Sequence, residues 1–265
     1  MPRVHMAVSN GALRCAVQER DWLPLTAGLR HLQLPDVFVP PAEQVRAWCA
    51  AAGADLGTPD ILDSEDDLTK RALRLKAAAA LEVDVQASVC GEGSMMLGWT
   101  NGVAASSLAR QLVVPADGAP QLLDGVVLSA FPVHRLAHEM LHHVPSGGPT
   151  PLGLQPVALA PPHARDLVLQ MRAGDPARIA AAAHRAGFAT PPPLVEALAT
   201  GLIGEASVTI EGVRGTARFR FVLCEAGWIE IHARSDGRLQ HTPYDADAML
   251  DLFRRELAAQ LAAAA

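Results

Sequence analysis

The sequence predicts an α+β protein of two similar halves, each running helix, helix, antiparallel four-strand meander, helix, and related by a pseudo-twofold axis. Three observations carry this. Helical 3.6-residue spacing gives way to period-2 alternation and then returns, twice and in the same order. The extended runs are joined by tight Gly/Asn turns, which connect antiparallel strands but cannot connect parallel ones. Pro145-Ser146-Gly147-Gly148-Pro149 reads as a linker and puts the halves at residues 1–145 and 146–265.

Short matches tie the halves together. Ala87-Ser88-Val89 matches Ala206-Ser207-Val208, and Pro115 and Asp117 match Pro243 and Asp245. The interval between the two matches is longer in the second copy, as longer hairpins there would require.

In order along the chain, Arg3–Val8 and Ala12–Val17 flank Ser9-Asn10-Gly11, a hairpin signal. Helices are predicted over Trp22–Leu32, Ala42–Ala52 (Pro40 and Pro41 before it, Gly53 after it) and Asp66–Ala80. Leu81-Glu82-Val83-Asp84-Val85 alternates as a half-buried strand does. Turn signals at Gly91-Glu92-Gly93, Thr100-Asn101-Gly102 and Arg110-Gln111 divide this stretch of chain into four extended pieces. Pro115-Ala116-Asp117 precedes the apolar run Leu122–Phe131, with Asp117 placed as an N-cap. Pro132–Val144 is a helix with an apolar stripe. In the second half, Pro176–Ala186 and Pro193–Thr200 are helices. Ala206–Glu211, Thr216–Leu223, Trp228–Arg234 and Leu239–Thr242 are strands, and Ala246–Leu261 is the closing helix.

Composition narrows the function. The 265 residues are 50% hydrophobic and 19% charged, enough for a sizeable core and too apolar for long disorder. The net charge is −6 and there is no Lys/Arg run, which argues against nucleic acid or an anionic membrane as partner. The N-terminus lacks the apolar core of a signal peptide, and no stretch reaches ~18 uninterrupted apolar residues, so a cytoplasmic protein without membrane insertion is expected. Cys15, Cys49, Cys90 and Cys224 form no CxxC pair and read as free thiols.

One motif bears on chemistry. His138-Glu139-Met140-Leu141-His142 is HExxH on a predicted helix, where the two imidazoles share a face and Glu139 could act as general base of a zinc-dependent hydrolase. His163 or Asp166 would supply the third ligand. Against this, the apolar stripe of the same helix leaves His138 and His142 on its flank, and clustering with His134 and His143 makes a solvated histidine face the simpler reading. Asp245 and Asp247 are explained by capping and the helix dipole. No nucleophile elbow, phosphate loop or dinucleotide fingerprint occurs.

Several segments together resemble the EspG family, cytosolic chaperones of type VII secretion. They are Leu32-Gln33-Leu34-Pro35 with the extended run Val37-Phe38-Val39 after it, and Leu136–Pro145 with Pro149-Thr150-Pro151 after it. Trp228–Arg234, Ser235-Asp236-Gly237-Arg238, and Pro243 and Asp245 before a long helix complete the set. The resemblance implies a quasi-twofold fold, no catalytic residues, no cofactor and no metal. It also implies a secreted helical substrate, a PE–PPE-like heterodimer, held by its hydrophobic tip. In this chain the turn around Gly91–Gly93 is tight where the family often carries a longer loop. A surface for such a partner needs an apolar patch with a polar rim. The second-half hairpins offer Val213 and Arg214 in a turn and Trp228, Glu230 and His232 on one face of a strand, Trp and Arg being favoured hot-spot types. A structural module whose paired halves dimerise is the third reading.

Overall fold

The computed structural model describes residues 5–9, 11–19, 22, 34–39, 43, 72, 74–115, 121–123, 125–145, 147 and 153–264. The first-half helices predicted over 22–32 and 42–52, the first part of the one over 66–80, and the capping role of Asp117 lie outside the described residues, apart from helical positions such as 22, 43, 72 and 74–77.

The strands are β1 (His5–Ser9), β2 (Ala12–Val17), β3 (Leu81–Val89), β4 (Glu92–Thr100), β5 (Ala104–Val113), β6 (Gln121–Leu122) and β7 (Val126–Pro132). They continue with β8 (Val157–Leu159), β9 (Gly204–Gly212), β10 (Gly215–Cys224), β11 (Gly227–Ala233) and β12 (Leu239–Tyr244). The helices are α1 (Leu136–His142), α2 (Pro161–Ala173), α3 (Pro176–Arg185), α4 (Pro193–Thr200) and α5 (Ala246–Ala264). The strands form one antiparallel sheet in the order β1-β2-β7-β5-β4-β3-β9-β10-β11-β12-β8, with β6 added to β5. Outward from the central β3·β9 pair the order is β3-β4-β5-β7 on one side and β9-β10-β11-β12 on the other, and each run leads into a helix, α1 or α5.

Both faces of the sheet are used. On the first, α1 and α5 bury Leu136, Met140, Met249 and Phe253 against Val83, Val85, Val208, Ile210 and Phe221. The opposite face carries two separate cores. Trp22, Phe38 and Ala72 cover Leu97, Trp99 and Leu128 in the first half, and α2, α3 and α4 cover Cys224 and Ile229 in the second. This layering explains the strand patterns. β4 is buried almost throughout because Met96 faces one core and Leu97 and Trp99 the other. β3, β9 and β10 alternate buried and open positions because their second face is uncovered.

Several expectations are corrected. Arg110-Gln111 does not break a strand. β5 runs through it because the Arg110 guanidinium is buried, ion-paired with Glu19 and donating to the Val37 carbonyl at 2.5 Å. Val37-Phe38-Val39 is a turn, not an extended run, closed by bonds from the Phe38 and Val39 amides to the Pro35 carbonyl. The first meander turn falls at Cys90-Gly91, one residue earlier than expected, with Val89 paired to Glu92 and Gly93 inside β4. The central turns of both halves are two residues long. Pro115 comes after β5 whereas Pro243 lies inside β12, so those two prolines are not equivalent in element order. The segment beyond the linker carries β8 and α2, which the proline-rich sequence concealed. There Pro161 and Pro162 open the helix, where a missing N–H costs nothing.

Candidate functional site

Between the two helical cores of the second face lies a bare strip of sheet. Cross-strand register sets its rows: Glu82–Glu211–Thr216, Asp84–Thr209–Arg218, Gln86–Ser207–Arg220 and Ser88–Glu205–Val222. Directly opposed residues share a face, so carboxylates of β3 and arginines of β10 flank the hydroxyls of β9. Burial pushes the Asp84 carboxyl above its ordinary range, partly offset by Gln86, whose side-chain amide donates to it at 3.2 Å. At the Ser88–Glu205 end the strip deepens into a trough of about 610 Å³, lined by Gln86, Met95, Leu112, Glu205, Ser207 and Arg220.

That end of the sheet is apolar and exposed. Backbone bonds from Leu123 to Gln111, Val114 to Gly91, Cys90 to Ile203 and Ile203 to Leu223 tie the ends of six strands, β6, β5, β4, β3, β9 and β10, into one line. Along it Val113, Leu122, Leu123, Leu202 and Ile203 face solvent, Leu202 with 54% of its surface exposed. Apolar side chains thus stand beside a trough of mixed lining: Glu205, Ser207 and Arg220 offer hydrogen-bonding groups, and Met95 and Leu112 with the rim offer area that a partner could desolvate. Sequence reasoning missed it: Leu122 and Leu123 were absorbed into the apolar run Leu122–Phe131, while the adjacent pair Leu202-Ile203, outside any predicted element, was a visible signal.

The residues singled out from sequence fall elsewhere. Val213 and Arg214 are exposed at the opposite end of the sheet, in the β9–β10 turn. Gln260 of α5 fixes this turn, accepting from the Arg214 amide at 3.2 Å and donating to the Gly215 carbonyl at 3.3 Å. Trp228 is not on a surface. It is 4% exposed in the core beneath α5, and its indole N–H donates to the Pro145 carbonyl at 2.9 Å. A Cβ on Gly147 would stand 2.8 Å from the ring, so the linker is packed onto this tryptophan. Glu230 and His232 share its face, but Glu230 is half-buried and accepts from Tyr244 while His232 is exposed. Burial, with the Glu230 charge added, pushes the Tyr244 hydroxyl up to about 12.

The HExxH residues are also separated. His138 and His142 lie on the solvent side of α1, whereas Glu139 is buried and points into the sheet. Arg14 of β2 grips its carboxylate with two bonds of 2.7 and 2.6 Å, and Ser107 of β5 donates at 3.2 Å. Ser129 of β7 in turn accepts from Arg14 at 3.2 Å. Burial works to raise the Glu139 pKa, but contacts with His143 and Arg14 outweigh it and hold the group down at about 2. His143 Nε2 stands 3.8 Å away, too far for a strong hydrogen bond, so the bidentate Arg14 pair is the decisive contact. Held in this way, the carboxylate is a weaker base than an ordinary glutamate. Glu139 anchors α1 to β2 and β5. His163 and Asp166, the suggested third ligands, sit on α2 across the sheet, where Asp166 pairs with Arg185 at 2.6 Å.

Among the described residues no helix is long and apolar enough to cross a membrane. No protein-family model matches the chain, and no curated protein matches it in sequence. Among solved structures it is similar to the Mycobacterium tuberculosis type VII secretion system chaperone EspG5, solved in complex with a PE25–PPE41 dimer. The TM-score is 0.54 at 13% identity, over 93% of this chain and 96% of that one. A large antiparallel sheet flanked by helices, matched along nearly its whole length, gives this chain the EspG-type fold.

Proposed function

We propose that this protein is a cytoplasmic chaperone for type VII secretion. It would hold the apolar tip of a helical PE–PPE-like partner against the trough and the apolar end of the sheet, without catalysis. The observation that carries the reading is the exposed row Val113, Leu122, Leu123, Leu202 and Ile203 beside a bare, polar strip of sheet. The fold it shares with EspG5, which was solved in complex with a PE–PPE dimer, supplies the partner class. The helices α2, α3 and α4 bound the strip on one side and the first-half core bounds it on the other, so a partner helix would lie along β9 between them. Val213 and Arg214 are exposed and belong to a secondary contact at the far end. Trp228 supports the surface from within rather than touching the partner.

The mirrored strand order about β3·β9 supports the two-halves reading, with residues 1–145 and 146–265 related by a pseudo-twofold axis near the Val85↔Val208 pair. Both central hairpins then become equivalent, one ending in the apolar row and the other in Val213 and Arg214.

The test is affinity capture of the tagged protein from its native cytosol, with Leu202→Asp/Ile203→Asp captured in parallel. A PE–PPE-type pair recovered near stoichiometrically by the parent, and lost by a variant that melts at the same temperature, is the expected result. Recovery unchanged in the variant refutes the surface, and no helical secreted protein in either sample refutes the function.

A further inference from the structure

The helix that carries HExxH presents a second feature that partner binding does not use. Residues 133–142 place His134, Arg135, His138 and His142 on or beside one exposed flank. A cleft of about 300 Å³ opens there against β2, lined by Arg14, Arg135, His138, Glu139 and His142. A neighbouring cavity of about 400 Å³ shares Arg14 and His142 with it and adds His143.

The charges in this cleft are one-sided. Glu139 is its one carboxylate among the described residues, and both of its oxygens are taken by Arg14. Arg135 reaches over the β1–β2 turn, its guanidinium 3.3 Å from where a Cβ on Gly11 would be. Among the described residues its guanidinium meets no carboxylate. From α5, Arg254 approaches His138 Nε2 at 3.3 Å and is itself shared with Asp251 at 3.3 Å. Cations so grouped repel one another. Burial, and then Arg254, Arg135 and His134, push the His138 ring below its ordinary pKa, and burial with His143 and Arg14 does the same to His142. With Arg14 paired to Glu139, Arg135 is the cleft's uncompensated cation among the described residues, in a chain of net charge −6. A bound anion would relieve that repulsion with charge-assisted bonds.

We propose that this cleft binds a small, multiply charged oxyanion, with Arg135 gripping it in bidentate fashion, His138 and His142 donating from α1, and Arg14 as the fixed cation behind. The volume suits an ion of phosphate to citrate size. The ligand is a phosphate or a polycarboxylate, and both present the same paired oxygens to a guanidinium fork.

The experiment is a titration of the whole protein with inorganic phosphate and, separately, citrate, at constant ionic strength with chloride as the control, monitored through the histidine ring resonances. Saturable one-to-one shifts of His138 and His142 with either anion, absent with chloride, are expected. The stronger binder of the two tells phosphoryl from carboxylate chemistry. Arg135→Ala, a half-exposed position whose variant should melt like the parent, is expected to weaken binding at least about tenfold, with Arg135→Lys between the two. Shifts that never saturate, that chloride reproduces, or that survive Arg135→Ala unchanged overturn the proposal. In that case the cluster is a solvated histidine flank.

Discussion

Replacing Arg14 with Met removes the guanidinium that neutralises Glu139 while keeping an apolar stem of similar length. The cost can be worked from the carboxylate. Glu139 is 4% exposed and its pKa is held at about 2 against an ordinary 4.5, a difference that corresponds to roughly 3 kcal/mol of preference for the ionised form in the folded state. Breaking a buried pair by removing one partner falls at about 3–5 kcal/mol, because the remaining charge stays buried and unpaired. Urea denaturation at pH 7 should therefore show Arg14→Met destabilised by about 3 kcal/mol, with an unchanged slope. The double variant Arg14→Met/Glu139→Leu should recover part of that loss, since neither charge is then left alone. A depressed folded-state pKa contributes stability that is fully present above pH 4.5 and is lost as pH falls toward about 2. The parent should lose that increment across this window and Arg14→Met should not. A single-variant cost under about 1 kcal/mol, or strictly additive single effects, would refute the anchor role assigned to this pair.

The same packing sets three other outcomes. Trp228→Ala should cost about 3–5 kcal/mol in thermal or urea unfolding, because it empties a core site and frees the linker from its Pro145 bond; an unaffected midpoint would contradict the burial. Gly204→Ala would bring a Cβ within 2.6 Å of the Ser88 carbonyl oxygen in the central β3·β9 pair, so a loss of about 1–3 kcal/mol is expected by the same measurement. His241 is buried with Nδ1 unpartnered among the described residues, and burial, though opposed by backbone hydrogen bonds with Val157 and Leu239, lowers its pKa from 6.5. Stability from the neutral ring is present above pH 6.5 and declines below it, and His241→Asn should flatten the fall in melting temperature between about pH 7 and 5.

What the sequence alone determined is the local grammar of this protein. Val83, Val85, Val208 and Ile210 alternate with polar residues, so β3 and β9 were legible as half-buried strands, and the same alternation foretold that one of their faces would be bare. Pro176 and Pro193, in the first turns of α3 and α4, marked where those helices start, since a fixed φ and a missing N–H suit a first turn. The EspG-like order of segments was legible too, because element order is a one-dimensional property. The tertiary structure decided whatever depends on which faces meet. Trp228 read as a surface anchor and is core, because α5 and the linker close over it. Glu139 read as part of a histidine motif and is instead bound by Arg14 and Ser107, from strands more than thirty residues or more than a hundred residues away. Arg110 looked like a turn and lies inside β5, because Glu19 and Val37 satisfy its charge from across the fold. Burial and pairing are sums over neighbours brought together by the sheet. The local period of a segment tells which of its sides is apolar, but the identity of the group that covers that side is fixed only when the chain is folded.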